Sequence, residues 1–361
     1  MRKQISFLLG AGFSADAGYP LARQLSEKVE KEIIDREQYG LSENPSVDIT
    51  YYMYEIFKAL QPTTDFNYER FYDFIISSER LIKHIQQCHY TTNIELKKHL
   101  DQIIFNCLNS VVNADSGITN YGNFAKFIQH CGEHGDLINI HSLNHDLLLE
   151  KLLGIKGIKY ADGFTEQEDN VNCIKYYIGP YGCPSKSKPA YVFTDDFKSS
   201  AVKVYKLHGS LDRHYIACES QNTYKQKETL GSNWKSVKVD ELSNKVVFLQ
   251  GYRYLTPEST TPDFLSGTNE KQRFYKKQPY NFLFNHFEEN IKNTDMLIII
   301  GYSFCDEGIN DKIKQLPQKS IVIAACKDSN IRAKEIFPQH DIWEFEGLQE
   351  IDFSAIKSKL S

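Results

Sequence analysis

Cysteine is sparse and dispersed in this chain: eight residues stand at positions 88, 107, 131, 173, 183, 218, 305 and 326, with no Cys-x-x-Cys pair among them. Structural zinc sites announce themselves as closely spaced pairs, so neither a zinc ribbon nor another metal centre is expected. Cys173 and Cys183 flank a Gly/Pro turn, but the chain reads as one from a reducing compartment, where a disulfide is not expected. Long apolar runs are missing as well. The opening Met-Arg-Lys-Gln leads only into Ile5–Leu9 before glycines, shorter than the apolar region of a secretory signal, and Met296–Ile300 is far too short to cross a bilayer. The expectation is a cytoplasmic chain with no membrane contact.

Charge of one sign is also lacking. Lys and Arg number 42 against 47 Asp and Glu, a net of −5, on a chain that is 25% charged and 41% hydrophobic. That balance suits neither a disordered polyelectrolyte nor a basic nucleic-acid surface. Short basic pairs such as Lys97-Lys98 and Lys276-Lys277 read as solvated faces, so direct nucleic-acid binding is not expected. Aromatics, by contrast, are plentiful: 22 Tyr and 22 Phe point to well-packed interiors. At roughly 150 residues per domain, 361 residues make about two domains or one large α/β domain with insertions.

The second arrangement fits the order of patterns. Ile5–Leu9 is an apolar run, Gly10-Ala-Gly-Phe-Ser14 a glycine turn, and Leu21–Ile34 an amphipathic helix, which together make a strand-loop-helix unit. From Leu41 to Phe127 the spacing is aromatic-rich and helical, with no convincing strand. Asp136–His141 resumes as a buried strand that runs into Ser142–Asp146 and a helix over Leu147–Leu153. Residues 154–200 read as loops and short hairpins. Ala201–Leu207 reads as a strand, residues 215–290 as polar loops with one strand at Val246–Leu249, and Phe282–Ile291 as a helix. A strand at Met296–Ile300, a helix at Ile309–Gln315 and strands at Ile321–Ala325 and Ile342–Phe345 complete a parallel-sheet α/β layout.

The residues that carry chemistry sit where these strands end, on the ligand-binding edge of a parallel sheet. Gly10-Ala11-Gly12-x-Ser14 between strand and helix suits close approach of phosphate oxygens to backbone, although a ligand-free tight turn would use the same residues. It lacks the Gly-Lys-Ser/Thr ending of a triphosphate loop, and no acidic residue ends a second strand as in ordinary dehydrogenases, so kinase, ATPase and hydride-transfer readings fall. Asn144 and Asp146 follow the next strand, where they either line a polar pocket or cap a helix. His208-Gly209-Ser210 ends another strand; a histidine there serves as a general base or as a satisfied structural residue. Gly301-Tyr302-Ser303-Phe304, followed by Asp306 and Asn310, is a fourth such loop, suited to a ribose or phosphate contact or to a turn and cap. Four such loops are expected to converge on one crevice.

Taken in order, Gly10-Ala-Gly-Phe-Ser14 with Gly18-Tyr-Pro20, Asn144-x-Asp146, His208-Gly209 and Gly301-Tyr-Ser303 resemble the sirtuin superfamily, from near the start to about residue 330. The resemblance implies a sirtuin-type, Rossmann-like parallel sheet that binds NAD. It would comprise residues 1–40 and 128–361, with residues 41–127 as an inserted helical subdomain. By the same likeness Gly10, Ala11, Gly12 and Ser14 hold the NAD phosphates, with Phe13 near the cofactor. Asn144 and Asp146 line the nicotinamide and ribose pocket, and His208 is the catalytic histidine. Gly301 and Ser303 contact the adenosine half, with Asp328 or Asn330 near adenine.

Two departures bear on activity. Protein deacylases of the superfamily have Gly-Ile-Pro followed by Asp-Phe-Arg, whereas Pro20 is followed here by Leu21-Ala22-Arg23. They also carry four zinc cysteines after the catalytic histidine, whereas only Cys218, Cys305 and Cys326 follow His208. The wordings Leu143-Asn144-His145-Asp146-Leu-Leu-Leu-Glu150, Lys206-Leu-His208-Gly-Ser-Leu-Asp212 and Ile300-Gly-Tyr-Ser-Phe-x-Asp306-x-x-Ile-Asn310 resemble instead the bacterial sirtuin-like proteins of antiphage systems. What this likeness implies is an NAD glycohydrolase with NAD as substrate and Asn144 and His208 as catalytic residues. It also implies control by homo-oligomerisation or by a partner such as a HerA-type ATPase or an Argonaute-related protein. The alternatives are an NAD-dependent deacylase and a non-catalytic nucleotide-binding module.

Overall fold

A strand covered on both faces has to be apolar at every position, because successive side chains point to opposite sides. Met296–Ile300 meets that demand, with every residue buried, and lies inside a six-stranded parallel sheet. The computed structural model describes residues 2–39, 49–60, 66–77, 93–109, 117–166, 174–177, 184–188, 191–219, 227–235, 254–257, 262, 264–268, 271, 274–276 and 279–360. The sheet strands are β1 (Gln4–Leu9), β2 (Leu137–Ser142), β3 (Val202–Lys206), β4 (Met296–Ile300), β5 (Ile321–Ala325) and β6 (Ile342–Phe345). They lie in the order β6-β5-β4-β1-β2-β3, with every pairing parallel. This is the doubly wound Rossmann arrangement. The chain order reverses between β1 and β4, which opens a crevice beyond their carboxyl ends.

The two faces of the sheet are separate cores. Ile5, Phe7 and Leu9 of β1, Ile138 and Ile140 of β2, and Met296, Ile298 and Ile300 of β4 face one way. They pack against Phe124, Phe127 and Ile128 of the helix Gly122–Glu133 and against Phe353 and Ile356 of the helix Phe353–Leu360. Leu8, Leu297, Ile299, Val322 and Ala324 face the other way, onto Leu283, Phe284, Phe287 and Ile291 of the helix Tyr280–Lys292. At roughly 1.5–3 kcal/mol for each large apolar side chain fully buried, this two-sided packing is what holds the strand ends rigid.

A third cluster is helical. It joins Leu25, Val29 and Ile33 of the helix Ala22–Tyr39, an i, i+4, i+8 stripe, to the helices Ile49–Leu60, Tyr68–Ser77 and Asn93–Asn109. Leu211 and Phe264 also belong to it, although Leu211 follows the His208 turn in sequence. The helical cluster therefore touches the sheet's carboxyl edge directly.

One difference from the sequence reading concerns residues 154–257. Five strands, Gly163–Glu166, Tyr191–Asp196, Arg213–Glu219, Lys227–Lys235 and Tyr254–Pro257, form an antiparallel sheet, and Ile174–Tyr177 pairs with Pro184–Lys188. Their polar composition, as in Lys227-Glu-Thr-Leu-Gly-Ser-Asn-Trp-Lys235, hides the alternation that marks a half-buried strand. The expected strand at Val246–Leu249 and the pair Cys173 and Cys183 lie outside the described residues.

Candidate functional site

At the crevice between β1 and β4 the two glycine loops lock into each other. The Gly10 N–H donates to the Ile300 carbonyl at 2.9 Å and the Gly12 N–H to the Gly301 carbonyl at 3.0 Å. A Cβ on Gly10 would stand 2.5 Å from the Gly301 oxygen, and one on Gly12 would stand 2.7 Å from the Gly301 Cα. Gly301 itself has φ +62°, and a Cβ there would meet the Phe13 nitrogen at 2.3 Å. Close approach of one loop to the other is thus a sufficient physical reason for all three glycines. With Ala11 and Ser14 they line a cavity of about 1030 Å³, at the upper end of the usual range for small-molecule clefts.

Phe13 does not line that cavity. Its ring is buried behind the loop, 5.0 Å from the Tyr121 ring and 5.2 Å from that of Phe124. Phe13 and Ser14 both lie in the short helix Ala11–Ala15, where successive side chains stand about 100° apart, so Phe13 enters the core while Ser14 lies on the crevice side.

Asn144 fastens the loop after β2 to the loop after β1. Its Nδ2 donates to the Gly10 carbonyl and to Ser14 Oγ, each at 2.9 Å. Both amide hydrogens are thereby committed, which fixes the orientation of the carboxamide and leaves Oδ1 as its acceptor in the cavity wall. Asp146 also lines the cavity, but its Oδ1 accepts from the Leu148 N–H at 3.0 Å, at the start of the helix Leu148–Ile155. The buried ammonium of Lys206 donates to the Asp146 carbonyl and lies 3.4 Å from Glu150 Oε1. The Asn144–Asp146 segment is therefore pinned at both ends.

His208 follows β3 at a turn made by Gly209, whose φ is +82°. The imidazole is buried and lines the same cavity as Asn144. Around it stand groups that the motifs did not single out as site residues. Asp306 Oδ2 lies 3.4 Å from Nε2, the Tyr275 hydroxyl 3.3 Å from Nε2 and 3.2 Å from Asp306 Oδ2, and Lys271 Nζ 3.1 Å from Asp306 Oδ2. Glu69 Oε1 is 3.7 Å from the same ammonium. Burial, and then the Lys271 charge, lower the His208 pKa, and Asp306 offsets them only in part, so the ring is neutral near pH 7. Burial pushes the Asp306 carboxyl up, but its contacts with His208 and Lys271 outweigh that and hold it below the usual carboxylate range. For Lys271, burial is outweighed by Glu69 and Asp306, and the amine is held above its ordinary value. His145, half-buried, is kept neutral first by desolvation and then by His208 and the two lysines.

The remaining loops complete the wall. Ser303 and Asp328 line the cavity beyond β4 and β5. Asn330 holds the backbone instead: its Oδ1 accepts from the Cys326 N–H at 3.0 Å and its Nδ2 donates to the Phe345 carbonyl at 2.8 Å. Asn310 does the same for the loop after β4, accepting from the Tyr302 hydroxyl at 2.9 Å and donating to the Phe304 carbonyl at 3.0 Å. Lys271 and Tyr275 come from a stretch that reads as polar loops, and Glu69 from the aromatic-rich helical stretch, with no motif around any of the three. Only Asp306 was visible beforehand, as the acid that follows the Gly301–Phe304 loop. Among the described residues no cluster of three or more His, Cys, Asp and Glu side chains is arranged to hold a metal ion.

No family model matches the chain, and no curated protein matches its sequence. Two solved Sir2 structures are similar to it. One, a Sir2 homologue in complex with NAD, is 12% identical, with 99% of this chain and 90% of that chain covered and a TM-score of 0.40. The other, from work on the mechanism and regulation of Sir2 enzymes, is 13% identical, with 99% and 94% covered and a TM-score of 0.41. Likenesses this distant leave the site's own residues to carry the functional reading.

Proposed function

We propose that the protein is an NAD glycohydrolase, which cleaves the bond between nicotinamide and ribose C1′. The observation that supports this most is the meeting of a fixed carboxamide, Asn144, and a neutral buried imidazole, His208, in the wall of one cavity at the sheet's switch point. Nicotinamide is already a competent leaving group. The protein has only to bend the dinucleotide, stabilise positive charge developing on the ribose and admit water. Asn144 Oδ1 accepts a hydrogen bond from the ribose or from the attacking water. His208 takes up the proton, since an imidazole that is neutral at working pH is a base ready for use. Gly10, Ala11, Gly12 and Ser14 face the diphosphate, with Phe13 supporting the loop from behind. Asp146 faces the ribose, and Gly301, Ser303 and Asp328 face the adenosine half.

The segments Leu143–Glu150, Lys206–Asp212 and Ile300–Asn310 extend this reading to antiphage defence, in which NAD depletion is held in check until infection by self-assembly or by a partner, a HerA-type ATPase or an Argonaute-related protein. Nicotinamide release with and without an acyl-lysine peptide tests the reaction class. Release that needs no peptide supports hydrolysis, whereas release strictly dependent on the peptide would move the protein to the deacylases. NAD binding without release under any condition would make it a nucleotide-binding module.

A further inference from the structure

The Asp306 carboxylate does more than a helix cap requires. Its Oδ1 accepts from the Ile309 N–H at 3.2 Å, which completes the N-cap of the helix Glu307–Ile313, and a neutral Asn would cap as well. The other oxygen, Oδ2, is turned into the cavity wall, where His208 Nε2, the Tyr275 hydroxyl and Lys271 Nζ converge on it at 3.4, 3.2 and 3.1 Å. The side chains of His208, Asp306 and Lys271 are 8%, 7% and 10% exposed, so these charges are held almost without water. An ionised carboxylate at such a depth is costly unless paired.

Lys271 is brought there by a clamped segment. The Thr268 N–H donates to both Asp73 oxygens, at 3.1 and 3.0 Å, and the Leu265 N–H donates to the His208 carbonyl at 2.7 Å. Gly267, with φ +96°, leaves no room for a Cβ beside Asp73. The segment thus bridges the helix Tyr68–Ser77 and the His208 turn, and the ammonium lies between Glu69 and Asp306.

We propose that Asp306, with Lys271 as its counter-ion, is a positioning residue for His208: the carboxylate orients the ring from the Nε2 side and stabilises the imidazolium formed when the ring takes a proton. This rests on the reading of His208 as the proton acceptor in NAD hydrolysis. In that step a water O–H bond breaks and an N–H bond forms on the ring nitrogen that does not face Asp306. The oxygen pair makes the C1′–O bond, and the C1′–N pair leaves with nicotinamide. The new imidazolium is already 3.4 Å from Oδ2 and needs only a small closure to reach the ~2.8 Å of a charge-assisted hydrogen bond. The charged or titratable groups around the ring are His145 beside it, Lys271 and Tyr275 from the clamped segment, Asp306 from the loop after β4, and Glu69 through Lys271.

The test is the titration of the His208 ring by NMR in the NAD-free protein, assigned by its loss in His208→Gln, alongside the pH profile of nicotinamide release. Wild type, Asp306→Asn and Lys271→Gln are compared. Asp306→Asn keeps the cap. It is expected to lower the ring pKa by about one unit or more, to reduce kcat at least ~10-fold and to leave KM within about two-fold, while Lys271→Gln moves the ring pKa and the acid limb of the profile upward. A purely structural role would not shift the two variants in opposite directions. Equal titration in all three proteins, with nicotinamide release intact, would overturn the pairing alone. Opposite ring shifts without release in any of them, alone or with the candidate partners added, would uphold the pairing and overturn the catalytic role and the glycohydrolase reading together.

Discussion

Replacing Gly301 by Ala separates two costs that the crevice imposes on one residue. The left-handed backbone, φ +62°, costs a residue with a Cβ roughly 1–2 kcal/mol. The Cβ itself would lie 2.3 Å from the Phe13 nitrogen and 2.4 Å from two Gly12 backbone atoms. Backbone cannot rotate aside, so a further ~1–3 kcal/mol of overpacking applies, and the sum is about 2–5 kcal/mol. Two other substitutions isolate the parts. Gly135→Ala carries only the conformational cost, since its φ is +85° and nothing lies within 4 Å. Gly10→Ala carries only the steric one, with φ −104° and a Cβ 2.5 Å from the Gly301 oxygen. Urea denaturation gives the stabilities and calorimetric titration gives NAD affinity. The expected order is Gly301→Ala the most costly, with NAD binding lost in Gly301→Ala and Gly10→Ala and kept in Gly135→Ala. If Gly301→Ala costs no more than Gly135→Ala and binds NAD like wild type, the interlocked loops do not shape the site.

Two further predictions rest on groups outside the crevice. His141 is fully buried between Tyr205 and Phe287, neither ring nitrogen has a partner among the described residues, and burial lowers its pKa to about 3. The unfolded chain binds that proton below about pH 6.5 and the folded chain does not until about pH 3, so stability is lost as pH falls through this window. The loss is ~2 kcal/mol by pH 5, and His141→Phe should flatten the stability profile between pH 8 and 5 by that amount; an unchanged slope would show that the ring stays reachable by protons. Asp73→Ala removes the anchor of Thr268, and limited proteolysis should then cut near residues 264–271 faster, with nicotinamide release reduced although Asp73 is no part of the cavity wall. Unaltered cleavage and activity would mean that the clamp does not hold Lys271 in place.

The parallel sheet was legible because its strands are short apolar runs: Met296–Ile300, Ile321–Ala325 and Ile342–Phe345 begin and end where the sequence pattern does. The strand-end loops were legible for a related reason, since glycine, Asx and histidine after an apolar run are unusual unless the edge is used. The function of individual residues was harder to see. The glycine pattern does not distinguish a loop that meets phosphate from one that meets another glycine loop, and here Gly10, Gly12 and Gly301 meet each other. The cluster around His208 was invisible, because Glu69, Lys271 and Tyr275 are joined only by folding across more than 200 residues of chain. The antiparallel strands, rich in Lys, Ser and Thr, gave no alternation to read.

Whether the crevice hydrolyses NAD is read from product-resolved NAD turnover of the full chain, alone and with the candidate partners added, for wild type, Asn144→Ala and His208→Ala, with NAD affinity measured for each. Nicotinamide and an ADP-ribose product from wild type are expected, falling by about 10²–10⁴-fold in His208→Ala, and lost in Asn144→Ala together with the loop contact that its Nδ2 makes to Gly10. Release at the wild-type rate by His208→Ala, from protein that still binds NAD, would contradict the account at its centre.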